Sequence, residues 1–268
     1  MSARVAALLL LLGLAPAAAH TLDAGLGTDG TGGTAADLAL GLDLPAALHL
    51  SAAGGWQRTP DGDEWTTLQG ALDSDPAAPV QAGAWVAYEG NAGLDRLASG
   101  PRLTLHPGPW SLRLEGGLAR VRLRLNRPIR PFTDQDRLEL STLEARLDLA
   151  YYGLLGWSFH AGAGRREHSR DLGLLARRPG LALRLFTPTA LGAGYTLEAS
   201  AWRAGVVRYR EHGELALWWH RSVSAVDGAA LDTLTLAARR GRLTLDLGLT
   251  LQQGASGLYL RPGLAFGP

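Results

Sequence analysis

The 268-residue chain contains no cysteine and, among its 26 basic residues, no lysine. Without cysteine there is no disulfide staple, no thiolate metal site, no cysteine nucleophile and no lipid-bearing N-terminal cysteine. Exported or not, such a chain needs no oxidative folding. The net charge is only +1, which gives no electrostatic case for a nucleic-acid partner. Arginine in place of lysine runs through loops and strands alike and reads as genome composition. Long hydrophobic runs are also missing: after residue 19 no apolar stretch reaches the roughly 20 residues of a spanning helix. Nor does any segment hold a helical period.

What is present begins with a leader. Arg4 supplies a positive start, Val5 to Leu14 an apolar core too short to span, and Ala17-Ala18-Ala19 a small-residue cleavage site before His20. Residues 1–19 therefore read as a secretory signal peptide and 20–268 as a single domain. In that domain leucine recurs at every second position. From Arg242 through Leu243, Leu245, Leu247 and Leu249 to Leu251, one face is wholly leucine and the other polar or glycine. A strand puts those two sets on opposite sides of a sheet. Repeated around a closed sheet in an exported chain, the pattern predicts a barrel with leucine facing lipid.

Sixteen segments carry the alternation. They are Thr21 to Gly27, Ala36 to Leu44, Leu48 to Arg58, Trp65 to Leu72, Val80 to Tyr88, Leu97 to His106, Trp110 to Leu125, Leu138 to Tyr151, Leu155 to Ala163, Arg166 to Ala176, Leu181 to Phe186, Tyr195 to Arg210, Glu214 to Arg221, Leu231 to Arg239, Arg242 to Leu251 and Leu258 to Phe266. Short ones can merge. At roughly 16 to 20 residues per strand and connection, the length predicts a closed antiparallel up-and-down transmembrane β-barrel of about 14 strands, within 12 to 16. In Trp110 to Leu125 the leucine phase slips near Ala119, which predicts a β-bulge or a tight turn at Glu115-Gly116-Gly117.

The connections alternate in length. Short turns fall on one side: Pro45-Ala46-Ala47, Pro107-Gly108-Pro109, Gly153-Leu154, Arg178-Pro179-Gly180, Glu211-His212-Gly213 and Arg240-Gly241. Glu89 to Arg96, Arg127 to Arg137, Thr187 to Gly194 and Ser222 to Ala230 are mostly longer, whereas Asp73 to Pro79 breaks the rule. Short periplasmic turns and longer outer loops give such an asymmetry. Trp56, Trp65, Trp85, Tyr88, Trp110, Tyr151, Tyr152, Trp157, Tyr195, Tyr209, Trp218, Trp219 and Tyr259 lie mostly near strand ends. That fits aromatic girdles, and it fits a β-sandwich core as well.

With its leader, its lack of cysteine, leucine alternation throughout and a last strand of Leu258, Leu260, Leu264 and Phe266, the chain resembles Gram-negative outer-membrane β-barrel proteins. The resemblance is architectural and covers the whole mature chain. It implies residence in the cell outer membrane, contact with outer-membrane lipid and lipopolysaccharide, and handling by the barrel assembly machinery. Such proteins usually end in an aromatic residue; here Gly267 and Pro268 follow Phe266.

With the leucines outward, the inward positions are mixed and charged. The arginines expected to line the lumen are Arg113, Arg122, Arg124, Arg146, Arg184, Arg208, Arg210, Arg242 and Arg261. An arginine-rich pore favours anions, so one expectation is a small porin-like channel passing small, anionic or sugar-acid solutes. The other is a closed structural barrel in which arginines pair with carboxylates across strands, as Glu144, Arg146 and Asp148 are placed to do.

A hydrolase acting on lipid or lipopolysaccharide is a further alternative, because His168 and Ser169 sit in the run Arg165 to Asp171. Adjacent strand residues point to opposite faces, so His168 is badly placed to activate Ser169. No residue carries a catalytic assignment. His49, His106, His160, His168, His212 and His220 lack metal-ligand spacing, Gly54-Gly55 forms no phosphate loop, and Asp61, Asp63 and Glu64 lack the spacing of a Ca²⁺ loop. No cofactor is implied. A soluble secreted β-sandwich that binds a ligand, with its leucines inside, is the remaining alternative.

Overall fold

The structure is a computed structural model that describes residues 19–266 except 29–32, 46, 59–61, 63, 92–93, 125–136, 174–196, 227 and 253–254. The expected leader lies outside the described residues. Every element is a strand: β1 (Ala19–Thr28), β2 (Thr34–Leu44), β3 (Leu48–Arg58), β4 (Glu64–Ser74), β5 (Val80–Gly90), β6 (Leu94–Leu105), β7 (Trp110–Arg124), β8 (Arg137–Leu154), β9 (Trp157–His168), β10 (Glu198–Arg210), β11 (Gly213–Ser224), β12 (Ala230–Arg240), β13 (Leu243–Gln252) and β14 (Ala255–Phe266). Each pairs antiparallel with its sequence neighbour, and β14 returns to β1, with Leu22 facing Phe266 and Gly25 facing Gly263. The sheet is a closed 14-stranded up-and-down barrel. This closure rules out the two-sheet sandwich.

Closure sorts side chains by parity. Leu112, Leu114 and Leu118 of β7 face Leu149, Leu147 and Leu143 of β8 in an outer row. Leu118, Leu143, Leu243, Leu247 and Leu258 are all exposed on this outer face. In water such an apolar surface would drive aggregation, whereas in hydrocarbon it is the stable arrangement. No helix of the described residues is long and apolar enough to cross a membrane.

Three expectations change. The phase slip in β7 is neither bulge nor turn, since β7 pairs with β8 from Trp110 to Arg124 without a register shift. The leucines change environment, not geometry. Below Gly116 they face outward; beyond it the inner row carries Ala119 and Val121, opposite Thr142 and Leu140. Leu94, Ala98, Val121, Leu138 and Leu140 are almost fully buried on that inner row. Second, Arg166 to His168 continue β9, so Leu155 to Ala163 and Arg166 to Ala176 are not two strands. The turn placed at Gly153-Leu154 falls at residues 155–156, where Gly156 takes φ +72°. The segment Leu181 to Phe186 and the turn Arg178-Pro179-Gly180 lie outside the described residues. Third, the long turn before Val80 shrinks to residues 75–79, ordered by Ala77 N–H donating to Asp75 Oδ1 at 2.8 Å.

The connections at one end of the barrel run from two to five residues; the two longest, 125–136 and 169–197, lie at the other, together with the two-residue connection 253–254. Trp110 and Tyr151 meet in a tilted contact at the short-turn end, with centroids 4.6 Å apart. The aromatics do not form a single class, however. Trp65, Trp85 and Trp218 share register rows with the lumen residues Gln57, Ala71 and Gly205.

Candidate functional site in the lumen

Inward-facing side chains of β4 to β10 build a polar wall in two tiers. In the tier nearer the long connections, Arg96 of β6 is buried between two carboxylates. Its Nη1 donates to Glu89 Oε1 at 3.1 Å and its Nε to Glu144 Oε1 at 3.0 Å. Glu144 also meets Arg166 Nε at 3.7 Å, and Arg166 Nη1 lies 3.0 Å from Glu198 Oε1. The chain Glu89, Arg96, Glu144, Arg166, Glu198 thus ties β5, β6, β8, β9 and β10 together. Arg96 reaches Glu144 across β7 because β7 presents Gly117 opposite Glu144. A Cβ at Gly117 would come within 2.6 Å of Trp85 Cζ2, and Trp85 Nε1–H donates to Gly116 O at 3.2 Å. Glu198 points inward because the β10/β11 register shifts between Glu198 and Ser200.

In the tier nearer the short turns, Arg102 pairs with Asp73, and Asp148 is shared by Arg146 at 2.9 Å and Arg203 at 2.8 Å. Arg113 stands opposite Asp148 and Glu115 opposite Arg146. The two tiers are oppositely biased. The first sets three carboxylates against two guanidiniums, and the second four guanidiniums against three carboxylates. Exposure separates them further. Asp148 is 12% exposed, but Arg146 and Arg203 are 46% and 38% exposed. A cavity of about 630 Å³ opens in front, bounded across the lumen by Asp37, Ala53, Gly55 and Thr67.

The structure places the expected arginines unevenly. Arg113 and Arg146 lie on the inner rows. Arg122 does not: it stands across from the outward Asp95 and lies 3.4 Å from Glu139 on the outer surface. Arg208 is outward too, over the Trp157 ring at 4.9 Å and donating to Leu155 O at 3.4 Å. Parity read from leucine fails at both, because a strand end beyond the lipid belt exchanges leucine for arginine on the same face. Arg210 is exposed where β10 meets its turn, and Arg242 lies in the turn before β13, so neither is in the bore. Arg261 faces Asp246 in the backbone register. Its side chain, that of Arg124, and all of Arg184 lie outside the described residues. The charged residues that most shape the lumen, Arg96, Arg102, Arg166 and Arg203, were absent from the expected set. Their inward rows are legible from Glu144 and Asp148 once pairing is known.

Histidine and serine come together, but not as expected. His168 Nδ1 is 2.8 Å from Thr142 Oγ1, and its Nε2–H donates to Glu198 O at 3.2 Å, so both ring nitrogens are occupied by partners other than Ser169. Ser169 Oγ accepts from Ser141 N–H at 3.1 Å. Ser158 and His160, two residues apart on one inner row, do share a hydrogen bond of 2.8 Å. Ser158 is fully buried, however, and its hydroxyl also reaches Tyr209 Oη at 3.3 Å. A nucleophile without access to a substrate does no hydrolysis. Among the described residues no group of metal-binding side chains assembles.

No family model and no curated protein matches the chain. Solved structures do. CdiB from Acinetobacter baumannii aligns with a TM-score of 0.52 at 9% identity, over 92% of this chain and 60% of that one. The chain has the fold of outer-membrane β-barrels. An anion-selective porin from Comamonas acidovorans aligns over 92% of this chain and 96% of its own at 12% identity, TM-score 0.46. Pseudomonas aeruginosa OccK11 (OpdR) aligns over 88% and 70% at 13% identity, TM-score 0.44. At such identities the likeness is one of fold alone.

Proposed function

We propose that the chain is an integral outer-membrane channel of the porin type, with a narrow lumen that favours small anionic solutes. The observation carrying the proposal is the asymmetric exposure of the second tier. Arg146 and Arg203 stand 46% and 38% exposed on the cavity, and the Asp148 carboxylate they share is only 12% exposed. A solute in the bore therefore meets positive charge first, and fixed positive charge lowers the energy of an anion in the constriction.

The test is planar-bilayer conductance of the refolded protein in a salt gradient, comparing wild type with Arg146→Ala/Arg203→Ala. Discrete steps with an anion-favouring reversal potential that shrinks in the double variant are expected. Arg122→Ala, on the outer surface, leaves the reversal potential unchanged. Cation selectivity, or a double variant identical to wild type, overturns the assignment. A specific observation favours a second reading, the closed barrel. Leu172, Leu197 and Val226 are buried on the connections at the long-loop end, the same end as the apolar inner row of Leu94, Val121, Leu138 and Leu140. Silence from folded, heat-modifiable protein selects that reading.

A further inference from the structure

Across the lumen wall from β4 to β8, one inner row reads Ala71, Trp85, Gly100, Gly117 and Glu144. Two glycines in succession beside a tryptophan leave a hollow in the wall, and the indole fills it. A Cβ at Gly100 would strike Gly116 O and come within 2.6 Å of Gly117 Cα, so β6 and β7 meet there backbone to backbone. A Cβ at Gly117 would lie 2.6 Å from Trp85 Cζ2 and 3.1 Å from Cη2. The ring therefore reaches from β5 across β6 to lie over β7, where its Nε1–H is anchored on Gly116 O at 3.2 Å. An indole has no other polar group, so it offers the lumen a ring face and nothing else. The side away from the glycines borders the cavity of about 630 Å³, a volume of the order that small-molecule pockets have.

Arg146 and Arg203 border the same cavity. Gly117 faces Glu144, and Arg146 follows Glu144 by two residues, so its Cα starts roughly 5 Å across and 7 Å along from that of Gly117, about 8 Å away. From the far side of the lumen Thr67 and Gln69 of β4 and Asp37 of β2 look into it. A ring face, two guanidiniums and a set of neutral hydrogen-bonding groups thus bound one space. We propose that this space is a subsite for a pyranose bearing a carboxylate, a sugar acid, with its C–H face stacked on Trp85, its carboxylate on Arg146 and Arg203, and its hydroxyls toward Thr67 and Gln69. The subsite rests on the reading of the lumen as open to small anions, and adds the class of solute. Asp37 repels a carboxylate from the β2 side and so sets which end of the sugar faces the arginines. A neutral sugar forfeits the charge-assisted bonds. An aromatic acid keeps stack and carboxylate but turns an apolar rim to the polar groups of β4, which costs their hydrogen bonds. An open-chain polyol acid brings no rigid face to the indole and loses more freedom on binding.

The experiment is saturation-transfer NMR of the refolded full-length barrel in micelles, with D-glucuronate, D-glucose, D-gluconate and benzoate as probes, and bilayer conductance of the same preparation in parallel. Wild type is expected to hold glucuronate about tenfold better than glucose, as charge-assisted hydrogen bonds give. It should hold glucuronate about fivefold better than gluconate, as a ring contact gives, with saturation strongest at the ring C–H protons. Trp85→Ala loses the preference over gluconate, and Trp85→Phe, which keeps a ring, retains it. Arg146→Ala/Arg203→Ala loses the preference over glucose. Trp219→Ala, on the outer surface, changes neither. Equal binding of glucuronate and gluconate by wild type, an undiminished ring preference in Trp85→Ala, or benzoate held as well as glucuronate, overturns the proposal. A loss in Trp85→Phe as large as in Trp85→Ala assigns the indole to the wall alone and overturns it too. A barrel that conducts anions but shows none of these preferences sinks only the subsite, whereas one that neither conducts nor binds any probe sinks the open lumen and the subsite with it.

Discussion

Removing the Glu144 carboxylate should destabilise the barrel measurably, because it is the centre of the buried chain of charge in the lumen wall. Glu144 is 11% exposed and serves two arginines, Arg96 at 5% and Arg166 at 18%. Deleting one partner of a buried ion pair commonly costs about 3 to 5 kcal/mol, because the other charge stays desolvated without its counterion. Here each arginine keeps one partner, Arg96 its Glu89 and Arg166 its Glu198. That places Glu144→Ala near the lower bound, about 3 kcal/mol. Glu144→Gln, which retains an acceptor oxygen, should cost less. The matched control is Glu167→Ala, whose pair with Arg165 is largely exposed and contributes about 0 to 1 kcal/mol. Reversible urea unfolding of the refolded protein in lipid vesicles, followed by tryptophan fluorescence, supplies the numbers. If Glu144→Ala and Glu167→Ala fall within 1 kcal/mol of each other, the buried chain of charges is not what holds β5 to β10 together.

Other perturbations probe the belt and the turns. Leu114→Arg, mid-belt on the outer row, should cost about 2 to 4 kcal/mol, and Leu118→Arg, at its upper edge, about 1 or less; the reverse order in the same unfolding assay would mean that the belt is misplaced. Gly156→Ala forces alanine to φ +72° and should cost about 1 to 2 kcal/mol. Ala47, already at φ 54°, should gain up to about 1 kcal/mol on mutation to glycine, and a loss there would show the turn to be unstrained. Gly117→Val should drive Trp85 off Gly116 O, cost about 1 to 3 kcal/mol and red-shift the fluorescence that a Trp85→Phe subtraction assigns to this indole; an unshifted spectrum refutes the close approach.

Strand period and closure were legible in the alternation because a two-residue repeat survives any tilt or shear of the barrel. Environment along a strand was not. Leu112 and Leu140 obey the same period, yet one faces lipid and the other the lumen, so the slip near Ala119 looked like a defect in geometry. Arg122 and Arg208 were misplaced for the same reason: a period says which residues share a face but not where the lipid ends. Arg96 and Glu144 are 48 positions apart, and their pairing depends on shear and on the space that Gly117 leaves. No local pattern encodes that. Trp85 and Trp218 show the limit of composition, since an aromatic near a strand end serves a girdle or a lumen equally well.

The ion-pair chain crosses β5, β6, β8, β9 and β10, while the inner rows of β12, β13 and β14 meeting β1 hold Thr233, Thr235, Gly248, Gly263 and Gly25. One half of the wall is cross-braced by a run of five ion-paired side chains, whereas the described inner rows of the other carry mostly small residues beside the register pair Asp246 and Arg261. Breathing of the cylinder should therefore be lopsided, with the β1/β14 seam the first to part and the last to seal. Amide protons on β6 to β9 should outlast those of β13, β14 and β1 in exchange, and the barrel would behave less like a rigid pipe than like a stiff half-shell closed by a pliant strap.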